Sequence, residues 1–331
     1  MPRLFGALRR SVLAPSLESV GFACREFPIT PTQATAHLEM VPQSVVCGFE
    51  WGIEAPKLWE IERRLAMIDP EQRGFGYEGA TMAFTILDVM PGGRRDRTRE
   101  LLLGPAAPHI FLAYIGIGFA MARLPRPLWS KVVPDIDGTP YFPTMTWLAV
   151  DGYGFDLAYF NTRRYIHEQQ IPVTYSWQGH PGYFRRAIDQ GIGRALWFIN
   201  GAVPDAVVTA LNRFDEDRRA DLWAGVGLAA TFAGGTTEDG LARVRDAAGG
   251  FQDELALGSV FAIKARTYSD FVPEHTVSAA TVFTGMSIAD ALDLADRTEV
   301  PADTPGPVPP YELWRQRIRD EFNPTTLRAA S

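Results

Sequence analysis

"DGYGFDLAYF", residues 151–160, decides how this chain is read. A glycine inside a helix costs about 1 kcal/mol relative to alanine, and an apolar interior disfavours an unpaired carboxylate. Yet this stretch sets two glycines and two aspartates among apolar and aromatic residues. Six other stretches share its pattern. In chain order the seven are "VCGFEWG", "YEGATMA", "YIGIGFA", "VDGYGFD", "DQGIGRA", "WAGVGLA" and "ALGSVFA", anchored on Gly48, Gly79, Gly116, Gly152, Gly191, Gly225 and Gly258. Subtracting successive anchor numbers gives spacings of 31, 37, 36, 39, 34 and 33 residues.

A recurrence near 35 residues matches one helix-turn-helix unit per repeat, and such units stack, each burying a face on the next. The expected fold is therefore all-α: about seven helical-hairpin repeats forming a solenoid or a curved, toroid-like bundle. Residues 30–298 read as this one repeat domain and residues 1–29 as an N-terminal arm. In 299–331 the proline-rich "PADTPGPVPP" leads into an amphipathic docking helix, "YELWRQRIRDEF", and a loose tail, "NPTTLRAAS".

Helix punctuation agrees with the repeat. "TPTQ" (30–33) and "DPEQ" (69–72) each give a capping residue, a proline at the first helical position and a glutamine after it. "TTED" at Thr236 and "SIAD" at Ser287 are similar starts, and the glycine pairs at 92–93, 234–235 and 249–250 are stops. "SKVVPDIDGTPYF" and "QQIPVTYSWQGHPGYF" are rich in proline and glycine and read as long loops.

Counting each anchor glycine as position zero, position +4 reads Gly52, Ala83, Ala120, Asp156, Ala195, Ala229 and Ala262. A small-xxx-small ridge of this kind permits close helix approach, which would offset the propensity cost. Positions −1 and +3, one turn apart, read Cys47/Trp51, Glu78/Met82, Ile115/Phe119, Asp151/Phe155, Gln190/Arg194, Ala224/Leu228 and Leu257/Phe261. If this face lines a hollow, Glu78, Asp151, Gln190 and Arg194 are its polar groups, with Tyr77, Tyr114, Tyr153, Trp197 and Trp223 close by as an aromatic wall. An apolar concavity with a few convergent polar groups is the usual form of a ligand site, and a carboxyl buried there would hold its proton more tightly. The competing reading gives each acid a structural ion pair.

Composition narrows the partners. The net charge is −7, with 46% hydrophobic and 21% charged residues and no basic run, so a nucleic-acid partner is not expected. Two cysteines, Cys24 and Cys47, make no framework and suit a cytoplasmic setting. The most apolar run, "IFLAYIGIGFAMA" (110–122), is short for a bilayer and reads as a buried helix, so no transmembrane segment is expected. The five histidines show no metal spacing, and "GFGYEG" (74–79) follows a helix start, not the strand of a dinucleotide loop; no metal and no cofactor are expected. "FDEDRRADLW" (214–223) has the look of a magnesium-binding acidic cluster over Asp215–Asp217, but a helix start capped by Asp215 is the simpler reading.

The strings "GFGYEGATMA", "WLAVDGYGFDLAYF", "DQGIGRALWFINGA" and "DLWAGVGLAATFAGG", in this order, resemble the bacterial family named domain of unknown function 1702, over roughly 13–293. Members of that family occur in secondary-metabolite gene clusters, including those for enediynes. The resemblance implies that setting and carries over no catalytic residue.

Two functions are expected from different classes. One is a secondary-metabolite enzyme acting on an apolar, unsaturated polyene or isoprenoid substrate by cyclisation or isomerisation. Glu78, Asp151 or Asp189 would be the initiating acid, Gln190 and Arg194 would orient it, and the aromatic wall would stabilise positive charge. The other is a non-catalytic helical-repeat protein that binds a partner protein or carries and protects a small apolar metabolite.

Overall fold

A computed structural model describes residues 16–54, 57–90, 92 and 96–322. The first half of the expected arm (1–15) and the tail "NPTTLRAAS" (323–331) lie outside the described residues. The described chain is all-α, with no strand among the described residues. After a short α1 (Leu17–Val20) come α2 (Gln33–Glu54), α3 (Leu58–Leu65), α4 (Pro70–Val89), α5 (Arg97–Leu103), α6 (Ile110–Arg123), α7 (Trp147–Phe160) and α8 (Pro181–Ile199). Then follow α9 (Pro204–Leu211), α10 (Glu216–Ala233), α11 (Glu238–Ala248), α12 (Gln252–Tyr268), α13 (Glu274–Thr284), α14 (Ile288–Thr298) and α15 (Pro310–Phe322).

Each anchor glycine falls inside one long helix: α2, α4, α6, α7, α8, α10 and α12. Shorter elements return the chain between them. Those helices are amphipathic, α11 for instance burying Leu241, Val244 and Ala248 on one face. The two segments read as loops form short 3-10 turns and irregular stretches, except that the end of the second, Pro181 to Phe184, is already the first turn of α8. Local capping follows the sequence. Asp69 accepts from the Glu71 N–H at 2.9 Å with Pro70 next, and Ser287 accepts from the Asp290 N–H at 3.1 Å. Two starts shift. Thr32, not Thr30, closes α2 by accepting from the Thr35 N–H, and Thr237, not Thr236, caps α11. Asp215 stands at the N-cap of α10, but its side chain makes no capping bond.

The fold gathers into two compact units, one comprising Met1–Phe27 with Glu39–Tyr153, the other Pro28–Leu38 with Gly154–Ser331. In the first unit the glycine helices pack edge to edge at backbone distance. A methyl group on Gly48 would sit 1.9 Å from the Gly76 carbonyl oxygen on α4, and one on Gly116 would sit 2.1 Å from that of Glu78. Gly118 meets the Ala149 carbonyl of α7 at 2.1 Å and Gly152 meets that of Ile115 at 2.3 Å. The second unit repeats the device. Gly154 meets Ile188 of α8, Gly193 meets Leu222 of α10, Gly225 meets Gln190 of α8, Gly227 meets Leu255 of α12, and Gly258 meets Ala224 of α10. Every one of these hypothetical methyls lies within 2.3 Å of a carbonyl oxygen, inside any van der Waals contact, so only glycine fits.

These contacts refine the small-residue ridge. The +4 alanines are buried as expected, but the closest approaches involve zero and +2. At about 100° per residue, two residues apart places the glycines on nearly opposite sides of a helix. Gly116 therefore faces back to α4 and Gly118 forward to α7; Gly225 faces back to α8 and Gly227 forward to α12. The G-x-G spacing lets one helix be approached closely from both sides.

Candidate functional site

The glycine register fixes which residues stand abreast. Four anchor glycines lie against the backbone of the −1 residue of the preceding glycine helix, Gly116 on Glu78, Gly152 on Ile115, Gly225 on Gln190 and Gly258 on Ala224, while Gly79 lies against Val45 of α2. The anchor faces backward, so −1, about 100° away, leaves each helix on a common flank. Positions −4 and +3 share that flank.

In the first unit this flank carries Glu78, Ile115 and Asp151 in one row. Glu78 and Asp151 are separated by two helix spacings, roughly 16 Å at about 8 Å each. Both acids are buried, each 2% exposed. The flank residues around them are apolar: Phe75, Leu112 and Leu148 at −4, Met82 and Phe119 at +3, all buried. α6, between the two acids, holds no acidic residue and one arginine, at its last position.

The tyrosines expected as a wall stand elsewhere. Tyr77 and Tyr114 occupy −2, on the forward side of their helices, within the seams. Tyr77 stacks on His109 with ring centroids 4.8 Å apart. Burial, then the Glu62 charge, pushes its hydroxyl up to about 12, against a smaller pull from Arg73. Tyr114 is fully buried. Tyr153, at +1, meets Trp129 edge-on at 4.9 Å. In this unit the structure brings together Glu78 and Asp151 on one flank and keeps the tyrosines off it.

The second unit treats its candidates differently. Asp189, at −2, faces forward into the α8–α10 seam. There the Arg218 guanidinium forks onto it, with Nη2 at 2.5 Å and Nε at 3.1 Å. Burial pushes the Asp189 carboxyl upward against the pull of that fork. Asp189 thus takes the structural ion pair. Arg218 also donates to the Gln169 carbonyl, tying down the loop before α8, and Asp217 pairs with Arg185 at 3.3 Å. The Arg194 guanidinium lies 5.2 Å over the Phe155 ring. Trp197 donates from Nε1 to the Gly234 carbonyl at 2.8 Å, and Trp223 is fully buried.

Gln190 is on the flank, and its amide is engaged. Nε2 donates to the Tyr183 hydroxyl at 2.9 Å and to Asp221 at 2.8 Å, while the Tyr311 hydroxyl donates to Oε1 at 3.4 Å. Around it runs a buried network that sequence reasoning missed. Arg186 donates to Asp221 at 2.8 Å and pairs with Glu312 at 3.0 Å. Tyr183 donates to Glu312 at 2.7 Å. Arg315 reaches Asp221, Glu254 and Glu312, and Arg319 reaches Glu254 and Glu312. Burial pushes the Glu312 carboxyl up, but Arg315, Arg319 and Arg186 outweigh it and hold it down at about 2. The signal for this network lay in the repeat: Asp221 and Glu254 both occupy −4, the same flank one turn earlier.

That flank of the second unit is covered by α15. Tyr311 stacks on Phe261, the +3 residue of α12, and Trp314 meets the same ring edge-on, while Trp314 Nε1 donates to the Ala295 carbonyl of α14 at 3.0 Å. Among the described residues no single helix is long and apolar enough to cross a membrane; the most apolar run lies within α6, buried from Ile110 through Met121.

The family described as "Protein of unknown function (DUF1702)" matches residues 4–322. No curated protein and no solved structure matches the chain.

Proposed function

The chain belongs to that family, and we propose that it is a secondary-metabolite enzyme that moves a proton on an apolar, unsaturated substrate, with Glu78 or Asp151 as the initiating acid. The observation that supports this is the first unit's flank: two buried carboxyls in one row among apolar side chains. A carboxyl in its neutral form can protonate a carbon–carbon double bond. In an isomerisation one carboxylic acid donates its proton to an alkene carbon. The resulting cation then loses a neighbouring C–H proton to the carboxylate left by that same acid. One C–H bond forms and one breaks, the double bond shifts, and no oxidant or reductant is needed. In a cyclisation the cation is captured by a second double bond before the proton leaves. A separation of two helix spacings between the acids suits a chain-like substrate lying across the row.

The test is deuterium incorporation. The full-length protein is incubated in D2O with linear polyenes and prenyl chains, and recovered lipids are read by mass spectrometry. The reading expects C–D bonds with wild type and at least a hundred-fold less with Glu78→Gln or Asp151→Asn at unchanged melting temperature. Undiminished incorporation in both variants overturns it. A second reading, a non-catalytic helix-binding module, draws support from α15, which already occupies the corresponding flank of the second unit. It predicts no incorporation and no co-purified apolar compound.

A further inference from the structure

The turn that ends α10 holds two side chains from distant parts of the second unit. Gly234 and Gly235 both take positive φ, 67° and 100°, a region that glycine enters without strain. A methyl on Gly234 would sit 2.8 Å from Cγ of His275, and one on Gly235 would sit 2.7 Å from Cδ1 of Leu38. The backbone of the turn thus seats the His275 ring of α13 and, beside it, the Leu38 side chain that follows His37 on α2. The glycine pair does more than stop a helix.

The turn is itself fixed. Trp197 donates to the Gly234 carbonyl at 2.8 Å, the Arg266 guanidinium donates to the Phe232 carbonyl, and Thr276 Oγ1 donates to the Thr231 carbonyl at 2.8 Å. On this base two imidazoles meet. His37 and His275 have ring centroids 6.3 Å apart at an interplanar angle of 70°, and a ring nitrogen of each lies within 4.8 Å of one on the other. Both side chains are half-buried. His275 Nε2 stands 3.1 Å from the Phe232 carbonyl. A carbonyl only accepts, so Nε2 carries the hydrogen and Nδ1 is the nitrogen left to bind a metal. A backbone carbonyl that takes the second ring N–H is a common outer support of a histidine ligand.

We propose that His37 and His275 form a zinc site. Imidazoles bind late first-row divalent ions, and zinc, with no geometric preference from its d electrons, accommodates donors whose spacing the fold has set. Zinc–nitrogen bonds of about 2.1 Å in a tetrahedral site place two donor nitrogens roughly 3.4 Å apart, within reach of modest rotations of the two rings. Bound zinc would tie the start of α2 to the start of α13 and leave positions open to a further ligand. Spacing along the chain gives no sign of the pair, because it forms only where the 234–235 turn gathers both helices. The proposal does not rest on the proposed reaction.

The test is a zinc titration of the full-length protein after chelator treatment, read by calorimetry. Wild type takes up one Zn2+ per chain at micromolar concentration. His37→Ala and His275→Ala each weaken uptake at least about ten-fold, the loss that even an outer-support substitution causes. His167→Ala, which removes an exposed histidine, leaves uptake unchanged. Zinc-edge X-ray absorption of the loaded wild-type protein counts two imidazole ligands, and it decides alone should either variant not fold. No saturable uptake, uptake that survives both substitutions, or fewer than two imidazoles around the zinc overturns the proposal.

Discussion

The two units use one packing device and treat the flank beside it in opposite ways. In both, glycines at zero and +2 press helix on helix at backbone distance. In the first unit the flank carries two carboxyls in an apolar row. In the second, carboxylates at −4 and Gln190 at −1 are met by arginines and tyrosines and covered by α15. The lesson is that the seam and the flank of a repeat answer to different constraints. Seam positions are fixed by sterics: the zero glycine recurs in all seven copies and the +2 glycine in four, Gly118, Gly154, Gly193 and Gly227. Flank positions need only be compatible with whatever covers them, and so they diverge.

The largest effect expected concerns the acid that the second unit has neutralised. Arg218→Met leaves Asp189 buried without its fork, and such a loss costs about 3–5 kcal/mol. Urea unfolding monitored by circular dichroism measures it. A loss below about 1 kcal/mol would show that the Arg218 fork does not hold Asp189 in its seam.

Next come the seams, which should behave alike in both units. Gly116→Ala and Gly225→Ala each force a methyl to 2.1 Å from a carbonyl oxygen and should each cost about 2–3 kcal/mol by overpacking, despite alanine's better helix propensity. Gly182, in the first turn of α8, has open space around its Cα, and Gly182→Ala should stabilise by about 0.5 kcal/mol. Thermal melts of the three variants check this. A seam glycine that accepts alanine as readily as Gly182 breaks the shared device.

The smallest stability change belongs to the first unit's flank. Glu78→Gln keeps the side chain's size and should shift stability by less than about 1 kcal/mol, while abolishing deuterium transfer. A loss as large as that of Arg218→Met would make Glu78 a structural acid and erase the contrast between the units.

Much of this was legible in the sequence. The seven anchor glycines, the caps at Asp69 and Ser287 and the all-helical class follow from short-range chemistry: spacing, propensity and capping act within one or two turns. The sequence put Glu78 and Asp151 at the same repeat position, −1, and the glycine contacts between helices then set that position abreast. The sequence did not show that +2, not +4, completes the closest approach, since which side of a helix meets a neighbour depends on where that neighbour lies. Nor did it show that Asp189 turns into a seam toward Arg218, or that Asp221 and Glu254 belong with Glu312, Arg315 and Arg319. Those partners lie tens of residues apart along the chain, and their pairing is decided by desolvation and geometry once the helices are assembled. Sequence by itself determined the helices, their period and the glycines that join them. Tertiary structure alone decided which buried charges found counter-ions, because a charge's partner is set by distance through space, which no local pattern encodes.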